Sequence, residues 1–268
     1  MQTTNNSDLV TRARMVDAGR PPGGLFADHS WRLDGRAFPL PSRLVGELDG
    51  LGRVLLQFYR AAGLLHRQSS TGRQPEWIAS LLDQGKPADL LAHQSHPTFR
   101  SELPRVIRPD LLLTEEGIAI TELDSVPGGI GLTAWLNRMY SQWDNDLIGG
   151  ASGMLEGFEG IFGDASNVHL VVSEESATYR PEMEWIASQL NTRTYAVRSQ
   201  DFNGFSDGDA VYRFFELFDL ANISGAEQLI ELAKQGKVRL TPPPKPVFEE
   251  KLLFALLWNR NLKEFWRQ

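Results

Sequence analysis

Residues 106–124 read VIRPDLLLTEEGIAITELD. Two runs rich in aliphatic and β-branched residues, Val106 to Thr114 and Ile118 to Leu123, flank the triplet Glu115-Glu116-Gly117. The pattern predicts a β-hairpin with a three-residue loop, in which glycine stands where positive φ is favoured. In such a loop Thr114 faces Ile118, and that pairing sets the register of the two strands.

This register gathers four charged side chains at the open end of the hairpin. Asp110 faces Glu122 and Arg108 faces Asp124, and their even spacing puts all four on one face. The other face is the more apolar one, with Leu111, Leu113, Ala119 and Leu123.

Directly opposed carboxylates repel each other unless a cation lies between them. Mg²⁺ suits Asp110 and Glu122 because it prefers hard oxygen ligands, and Arg108 would then meet a phosphoryl oxygen. A second interpretation stays open: a solvent-facing strand surface with a weak Arg108–Asp124 ion pair.

A glycine-rich turn follows the hairpin. Pro127-Gly128-Gly129-Ile130-Gly131 leads into a helix predicted from about Leu132. Gly128 and Gly129 would let a phosphate approach the backbone closely, although Pro-Gly-Gly is also a common turn.

The chain around the hairpin predicts an α/β (α+β) fold. An amphipathic helix begins near Ser42, and strands such as Val168 to Val172 alternate with helices such as Arg180 to Leu190, which indicates a mixed or partly parallel sheet flanked by helices. Four segments are expected: a loosely ordered 1–40, a helical segment with the hairpin at 41–165, an α/β subdomain at 166–247, and the start of a nucleotide-binding part at 248–268.

Composition narrows the function classes. The 268 residues carry a net charge of −7, which argues against a general nucleic-acid or anionic-membrane binder. The absence of cysteine excludes disulfides, thiol catalysis and cysteine-ligated metals. A cytoplasmic location is the default expectation, since the N-terminus does not resemble a signal peptide and no apolar run is long enough to span a bilayer.

The last twenty residues, Glu249 to Gln268, predict one strong helix with leucine, phenylalanine and tryptophan side chains. Such a helix needs a cover for its apolar face. It either packs back on its own domain or meets a partner or a further C-terminal segment.

The hairpin residues resemble a known family. Arg108-Pro109-Asp110, eleven intervening residues and Glu122-Leu123-Asp124 are similar to the metal-binding hairpin of glutathionylspermidine synthase-like proteins, which are circularly permuted ATP-grasp ligases. The resemblance implies that Arg108 assists phosphoryl transfer and that Asp110, Glu122 and Asp124 hold Mg²⁺. Asp124 stands where the family usually has asparagine.

A second segment supports the resemblance. Glu250-Lys251, followed by an apolar run that ends in Leu256-Leu257-Trp258, is similar to a family segment whose lysine contacts ATP. Lys251 is the matching position. The family carries further ATP-binding residues beyond this segment, so the resemblance implies an incomplete ATP-grasp-like architecture with weak or no activity.

The resemblance implies a Mg²⁺- and ATP-dependent carboxylate–amine ligase that forms an acyl phosphate and then an amide. Its partners would be ATP and small carboxylate and amine substrates, with no nucleic acid or membrane. Polyamine-using members carry an acidic pair just before a tyrosine, whereas Ser176-Ala177-Thr178 precedes Tyr179 here, which argues against spermidine. The alternative is a non-catalytic binding or scaffold protein that retains the ligase-like fold.

Overall fold

The computed structural model describes residues 6–28 and 31–267. The α-helices are α1 (Asn6–Ala18), α2 (Ser42–Ser70), α3 (Trp77–Asp83), α4 (Ala88–Ser95), α5 (Ile130–Tyr140), α6 (Gly153–Gly160), α7 (Arg180–Gln189), α8 (Ala226–Lys234), α9 (Leu252–Leu257) and α10 (Lys263–Trp266). The strands are β1 (Arg108–Thr114), β2 (Gly117–Asp124), β3 (Asn167–Val172), β4 (Thr194–Ser199), β5 (Ala210–Phe214) and β6 (Arg239–Thr241).

A four-stranded parallel sheet forms the centre of the second half. Its strand order is β4-β3-β5-β6, and every neighbouring pair is parallel. Strand β3 alternates its side chains between two apolar clusters: Leu170 packs in the cluster that includes α5, α6 and α7, and Val171 in the cluster that includes α8. Helices therefore cover both faces of the sheet, and the predicted α/β class with flanking helices is confirmed.

Strand β5 was not predicted. This strand, Ala210–Phe214, is fully buried and contains the start of an aromatic run from Tyr212 to Phe218. Phe214 and Phe215 lie in the core, whereas Phe218 is 76% exposed in the 3₁₀ turn that follows. A continuous run of buried residues does not distinguish a strand from a helix by periodicity alone.

The hairpin forms with a different loop. Thr114 pairs with Gly117 rather than Ile118, so the loop is the two residues Glu115 and Glu116. The register then shifts by one residue between Asp110 and Leu111, where a β-bulge interrupts the ladder. Beyond the bulge the pairs are those predicted, Asp110 with Glu122 and Arg108 with Asp124.

The predicted apolar face of the hairpin is covered only near its base. Leu123 packs against the cluster formed by α2 and the C-terminal segment. Leu113 is 52% exposed and Ala119 is also exposed, so the outer half of this face is open to solvent.

The C-terminal segment folds back on α2. The single helix predicted over Glu249 to Gln268 is wrong: α9 ends at Leu257, a 3₁₀ turn spans Arg260–Leu262, and α10 follows. The Asn259 side chain accepts a hydrogen bond from the Asn261 N–H and so starts that turn. Phe58 of α2 stacks on Phe254 and Trp266, so much of the apolar face is covered within the chain.

The first forty residues contain more structure than expected. Helix α1 and a 3₁₀ turn at Gly24–Ala27 bury Val16 and Phe26 against Trp135 of α5. Residues 1–5 lie outside the described part of the chain. Among the described helices, none combines the length and the apolar character needed to cross a bilayer.

Candidate functional site

Arg108 is the centre of the charged end of the hairpin. Its Nε lies 3.1 Å from Asp110 Oδ1, and its Nη2 lies 3.4 Å from Asp124 Oδ2. Its Nη1 also donates a hydrogen bond of 3.2 Å to the carbonyl of Gly128. The guanidinium therefore connects both strands of the hairpin to the glycine-rich turn.

Lys251 reaches the same place from the far end of the chain. It directly precedes α9, and its Nζ lies 2.8 Å from Glu122 Oε1. The Glu122 carboxylate raises the pKa of Lys251 by accepting this hydrogen bond, and Asp124 and Asp110 add smaller effects of the same sign. The structure thus brings together Lys251 and the four charged hairpin residues that the sequence singled out.

Asp124 is the most buried of the three hairpin carboxylates, with 22% of its side chain exposed. Burial raises its pKa, and the Val126 N–H, which donates to Oδ1 at 2.8 Å, opposes that rise together with Arg108. Glu249 and Glu122 raise it further. Negative charge accumulates here beyond what the nearby cations neutralise.

Two further carboxylates stand behind the hairpin, and sequence reasoning missed both. Glu249 accepts hydrogen bonds from the buried Arg213 guanidinium and from the Leu217 N–H. Burial raises the pKa of Glu216, and with the repulsion from the Glu249 carboxylate the pKa reaches about 8.

The surroundings of Arg213 indicate a structural role. Its side chain is 2% exposed, and it donates to the carbonyls of Pro242, Phe215 and Pro243 as well as to Glu249. Every nitrogen of the guanidinium is engaged in these bonds, so Arg213 holds Glu249 in place.

The glycine-rich turn is packed against the start of α7. A β-carbon at Gly128 would lie 2.2 Å from the Tyr179 ring, so only glycine fits. Gly129 has φ +84°. The N–H groups of Gly129 and Leu132 donate to the two carboxylate oxygens of Glu182, at 3.2 and 3.0 Å. The N-terminus of α5, where a phosphate was predicted to approach, is therefore occupied by an internal carboxylate.

The hairpin lies near the carboxyl ends of the parallel strands. Tyr179, which contacts Gly128, also packs edge-on against Phe214, the last residue of β5. β5 neighbours β3 in the sheet although β4 lies between them in sequence, so the chain order reverses between β3 and β5. Ligands of open α/β sheets bind at such a reversal, outside the carboxyl ends of the strands.

The charged cluster itself is shallow. The cavity that includes Lys251 also touches Leu123, Tyr59 and Phe254, and its volume is about 10 Å³. Exposure of the charged groups ranges from 22% at Asp124 to 76% at Lys251. They face solvent across an open surface, where a ligand would lie against them without being enclosed.

A histidine with two carboxylates forms a separate group on α4 and α8. His93 is buried, and its Nε2 lies 3.1 Å from Glu227 Oε2. One ligand atom from each of His93, Glu227 and Glu231 lies within 4.8 Å of the others. The carboxylate partners of His93 are on a helix far along the chain, so no local motif in the sequence indicates this group.

Fold and site together define a mixed α/β protein with a solvent-facing cluster of hairpin carboxylates, one arginine and one lysine. A comparison with protein-family models and with curated proteins gives no match.

Proposed function

We propose that this chain is an ATP- and Mg²⁺-dependent carboxylate–amine ligase of the glutathionylspermidine synthase type, with an ATP-grasp-like architecture. The convergence of Lys251 with the charged end of the hairpin carries the proposal. These two segments are the ones that resemble the family, and nothing in their sequence separation requires them to meet.

The hairpin carboxylates have the chemistry that Mg²⁺ selects. Asp110, Glu122 and Asp124 offer hard oxygen atoms on one surface, and their mutual repulsion is only partly relieved by Arg108 and Lys251. A divalent ion held by these carboxylates would supply charge neutralisation for phosphoryl oxygens. Glu122 would exchange its contact with Lys251 for the metal.

Each cation has a separate role in the proposed reaction. Arg108 is the catalytic residue, because its fork already faces two carboxylates and can turn to the transferred phosphoryl group. Lys251, once released from Glu122, binds ATP. The substrate carboxylate would attack the γ-phosphorus of ATP and release ADP, which gives an acyl phosphate. The amine would then attack the acyl carbon, form the amide, and release inorganic phosphate and a proton.

Gly128 and Gly129 contribute to nucleotide binding by shape in this proposal. The Gly129 N–H is not free for a phosphate while Glu182 accepts from it, and a β-carbon at Gly128 would meet the Tyr179 ring. Open space for a nucleotide therefore lies at Gly129, where a β-carbon would have no neighbour within 4 Å. Both substrates are small molecules in this proposal, and the need for ATP agrees with the cytoplasmic location that we propose.

The scaffold alternative is favoured by a different observation. Arg108 and Lys251 already form ion pairs with Asp110, Asp124 and Glu122, and the adjoining cavity holds about 10 Å³. A non-catalytic protein in which the hairpin has only a structural role would have the same ion pairs and the same small cavity. The two functions differ in whether the cluster binds Mg²⁺ and ATP.

Thermal unfolding with Mg²⁺, ATP or both separates these functions. The ligase proposal predicts that Mg²⁺ with ATP raises the midpoint of unfolding more than the sum of the two ligands alone, since ligands that bind the native state stabilise it. Asp110→Asn should abolish that excess. Asp207→Asn, an exposed aspartate in the loop before β5, is the matched control and should retain it.

An unchanged midpoint with both ligands present favours the scaffold. The same conclusion follows if Asp110→Asn and Asp207→Asn respond alike, because the hairpin carboxylates would then not contribute to binding.

A further inference from the structure

A basic cavity lies on the side of α2 where that helix ends. Its volume is about 610 Å³, and it is lined by the last turns of α2, the C-terminal end of α4 and the segment around Lys245. Neither the charged hairpin residues nor Lys251 contribute to its lining. The volume is within the range of sites that hold small molecules.

The lining carries four basic side chains and no carboxylate. They are Arg67, Arg73, Arg100 and Lys245. Within residues 6–28 and 31–267, no carboxylate oxygen lies within 4.0 Å of a side-chain nitrogen of any of these four residues. This concentration of positive charge occurs in a chain whose net charge is −7.

Lys245 is the least accessible of the four, at 4% exposure. Burial and, to a smaller extent, Arg67 lower its pKa to about 8, and Glu102 only partly opposes this effect. The pKa of Arg67 is also lowered, by burial and by the neighbouring Arg100. Buried like charges are costly unless an opposite charge meets them.

A purely structural explanation accounts for part of this arrangement. The Lys245 ammonium donates to the carbonyls of Arg100 and Glu102, at 3.4 and 3.0 Å, and Arg67 also donates to the Arg100 carbonyl. These carbonyls satisfy hydrogen bonds but carry no formal charge. Arg73 and Arg100 remain exposed at the rim, where a structural role would not require them to converge.

We propose that this cavity binds a small, multiply charged oxyanion, either a phosphate compound or a polycarboxylate. Guanidinium groups recognise both through paired hydrogen bonds to oxygen atoms, and the buried ammonium adds a point charge at the base. Gln94 and His66 also line the wall, but their polar atoms are engaged within the protein. His66 Nε2 lies 2.8 Å from Asp83 Oδ1 and 3.3 Å from the Gln94 amide nitrogen, and Gln94 Oε1 accepts from the Val247 N–H. Asp83 itself does not line the cavity, so the cations remain its charged groups.

The site is independent of the proposed ligase function. The 3₁₀ turn Pro246–Glu249 separates the two regions: Val247 lines the cavity, whereas Glu249 lies with Arg213 near the hairpin. Asp110→Asn is therefore expected to leave oxyanion binding unchanged. A failure of one proposal does not imply failure of the other.

Titration calorimetry with inorganic phosphate, pyrophosphate and citrate, at constant ionic strength set by chloride, tests the proposal. We expect saturable binding of at least one of these anions, and the preferred one identifies phosphate or carboxylate chemistry. Arg73→Gln and Arg100→Gln should each weaken it about tenfold, the value of one charge-assisted hydrogen bond. Arg53→Gln, an exposed arginine on α2 outside the cavity, should change the affinity less than about twofold.

Absence of saturable binding by all three anions overturns the proposal. So does equal weakening by Arg53→Gln, which would indicate general screening of surface charge. Binding of a single-stranded oligonucleotide that needs Arg73 and Arg100, without any response to small anions, would assign the surface to nucleic acid instead.

Discussion

Lys251 Nζ and Glu122 Oε1 lie 2.8 Å apart, and this ion pair joins the start of α9 to the second strand of the hairpin. The lysine side chain is 76% exposed and the glutamate 35%. Exposed pairs of this kind contribute little to stability, because solvent screens them and two flexible side chains must be ordered. The contact can therefore open at low cost when a competing ligand arrives.

Lys251→Met should change ligand binding while leaving the stability of the protein nearly unchanged. We expect the free energy of unfolding to change by less than about 1 kcal/mol. Mg²⁺ affinity should rise, because Glu122 loses its competing ammonium, while the additional stabilisation by ATP disappears. Calorimetric titration with Mg²⁺ and thermal unfolding with ATP measure the two effects.

Lys263→Met is the control for this prediction, since Lys263 is an exposed lysine on α10 of the same C-terminal segment. It should leave Mg²⁺ affinity unchanged. A lower Mg²⁺ affinity in Lys251→Met would mean that the ammonium supports the metal site, contrary to the competition inferred from the ion pair.

Glu216 should make the protein less stable as pH rises. Its native pKa of about 8 exceeds the ordinary value of 4.5, so the native state holds more protons than the unfolded state between these pH values. Stability then falls with increasing pH across that window. In Glu216→Gln the fall from pH 5 to pH 8 should be smaller by about 1–2 kcal/mol, as measured by urea unfolding.

Glu175→Gln serves as the control because Glu175 is an exposed glutamate just beyond β3. Its stability should follow the unmodified protein at each pH. Parallel curves for Glu216→Gln and the unmodified protein would show that Glu216 is ionised in the native state, and the proton would have to reside elsewhere in the cluster.

The hairpin shows how a correct pairing can follow from an incorrect loop. A three-residue loop was expected, and the structure has a two-residue loop plus a bulge beside Thr121. The extra residue in β2 restores the pairing of Asp110 with Glu122, so the charged end is as predicted while the outer half is shifted. Local sequence identifies turn residues, but a bulge depends on how the ribbon twists against the rest of the chain.

Contacts between distant segments were beyond the reach of the sequence. Glu249 lies beside Arg213 because the turn after β6 returns the chain to β5, and no local pattern encodes that return. Single elements such as α7 and β3 were predicted within a residue, because their sequences carry local signals. The expectation that Lys251 and the hairpin form one site came from the family resemblance of both segments and not from sequence periodicity.

Glu182 should stabilise the start of α5 substantially. Its fully buried carboxylate accepts from the N–H groups of Gly129 and Leu132, which lack partners within the helix. Glu182→Ala should lower the free energy of unfolding by about 2–4 kcal/mol, and Glu182→Gln by less, because one amide oxygen remains an acceptor. Urea unfolding measures both.

Glu184→Ala is the matched control, because Glu184 lies on the exposed face of α7, the helix that also carries Glu182. It should lower the free energy of unfolding by less than about 0.5 kcal/mol. If the two alanine variants were equally stable, the hydrogen bonds from the turn would contribute nothing. Binding of inorganic phosphate that appears only in Glu182→Ala would show that the carboxylate occupies a latent anion site.

Arg213 and Glu249 should behave as one buried unit. Arg213→Met leaves the Glu249 carboxylate without its cation and removes the donor to the carbonyls of Pro242 and Pro243, so we expect a loss of about 3–5 kcal/mol. Glu249→Gln in the same chain removes the unpaired charge. The double variant should therefore be more stable than the sum of the single losses predicts, by about 1–3 kcal/mol in a urea-unfolding cycle. If the losses of the two single variants added strictly, Arg213 and Glu249 would not interact directly. Glu216 would then be the carboxylate that balances the charge of the guanidinium.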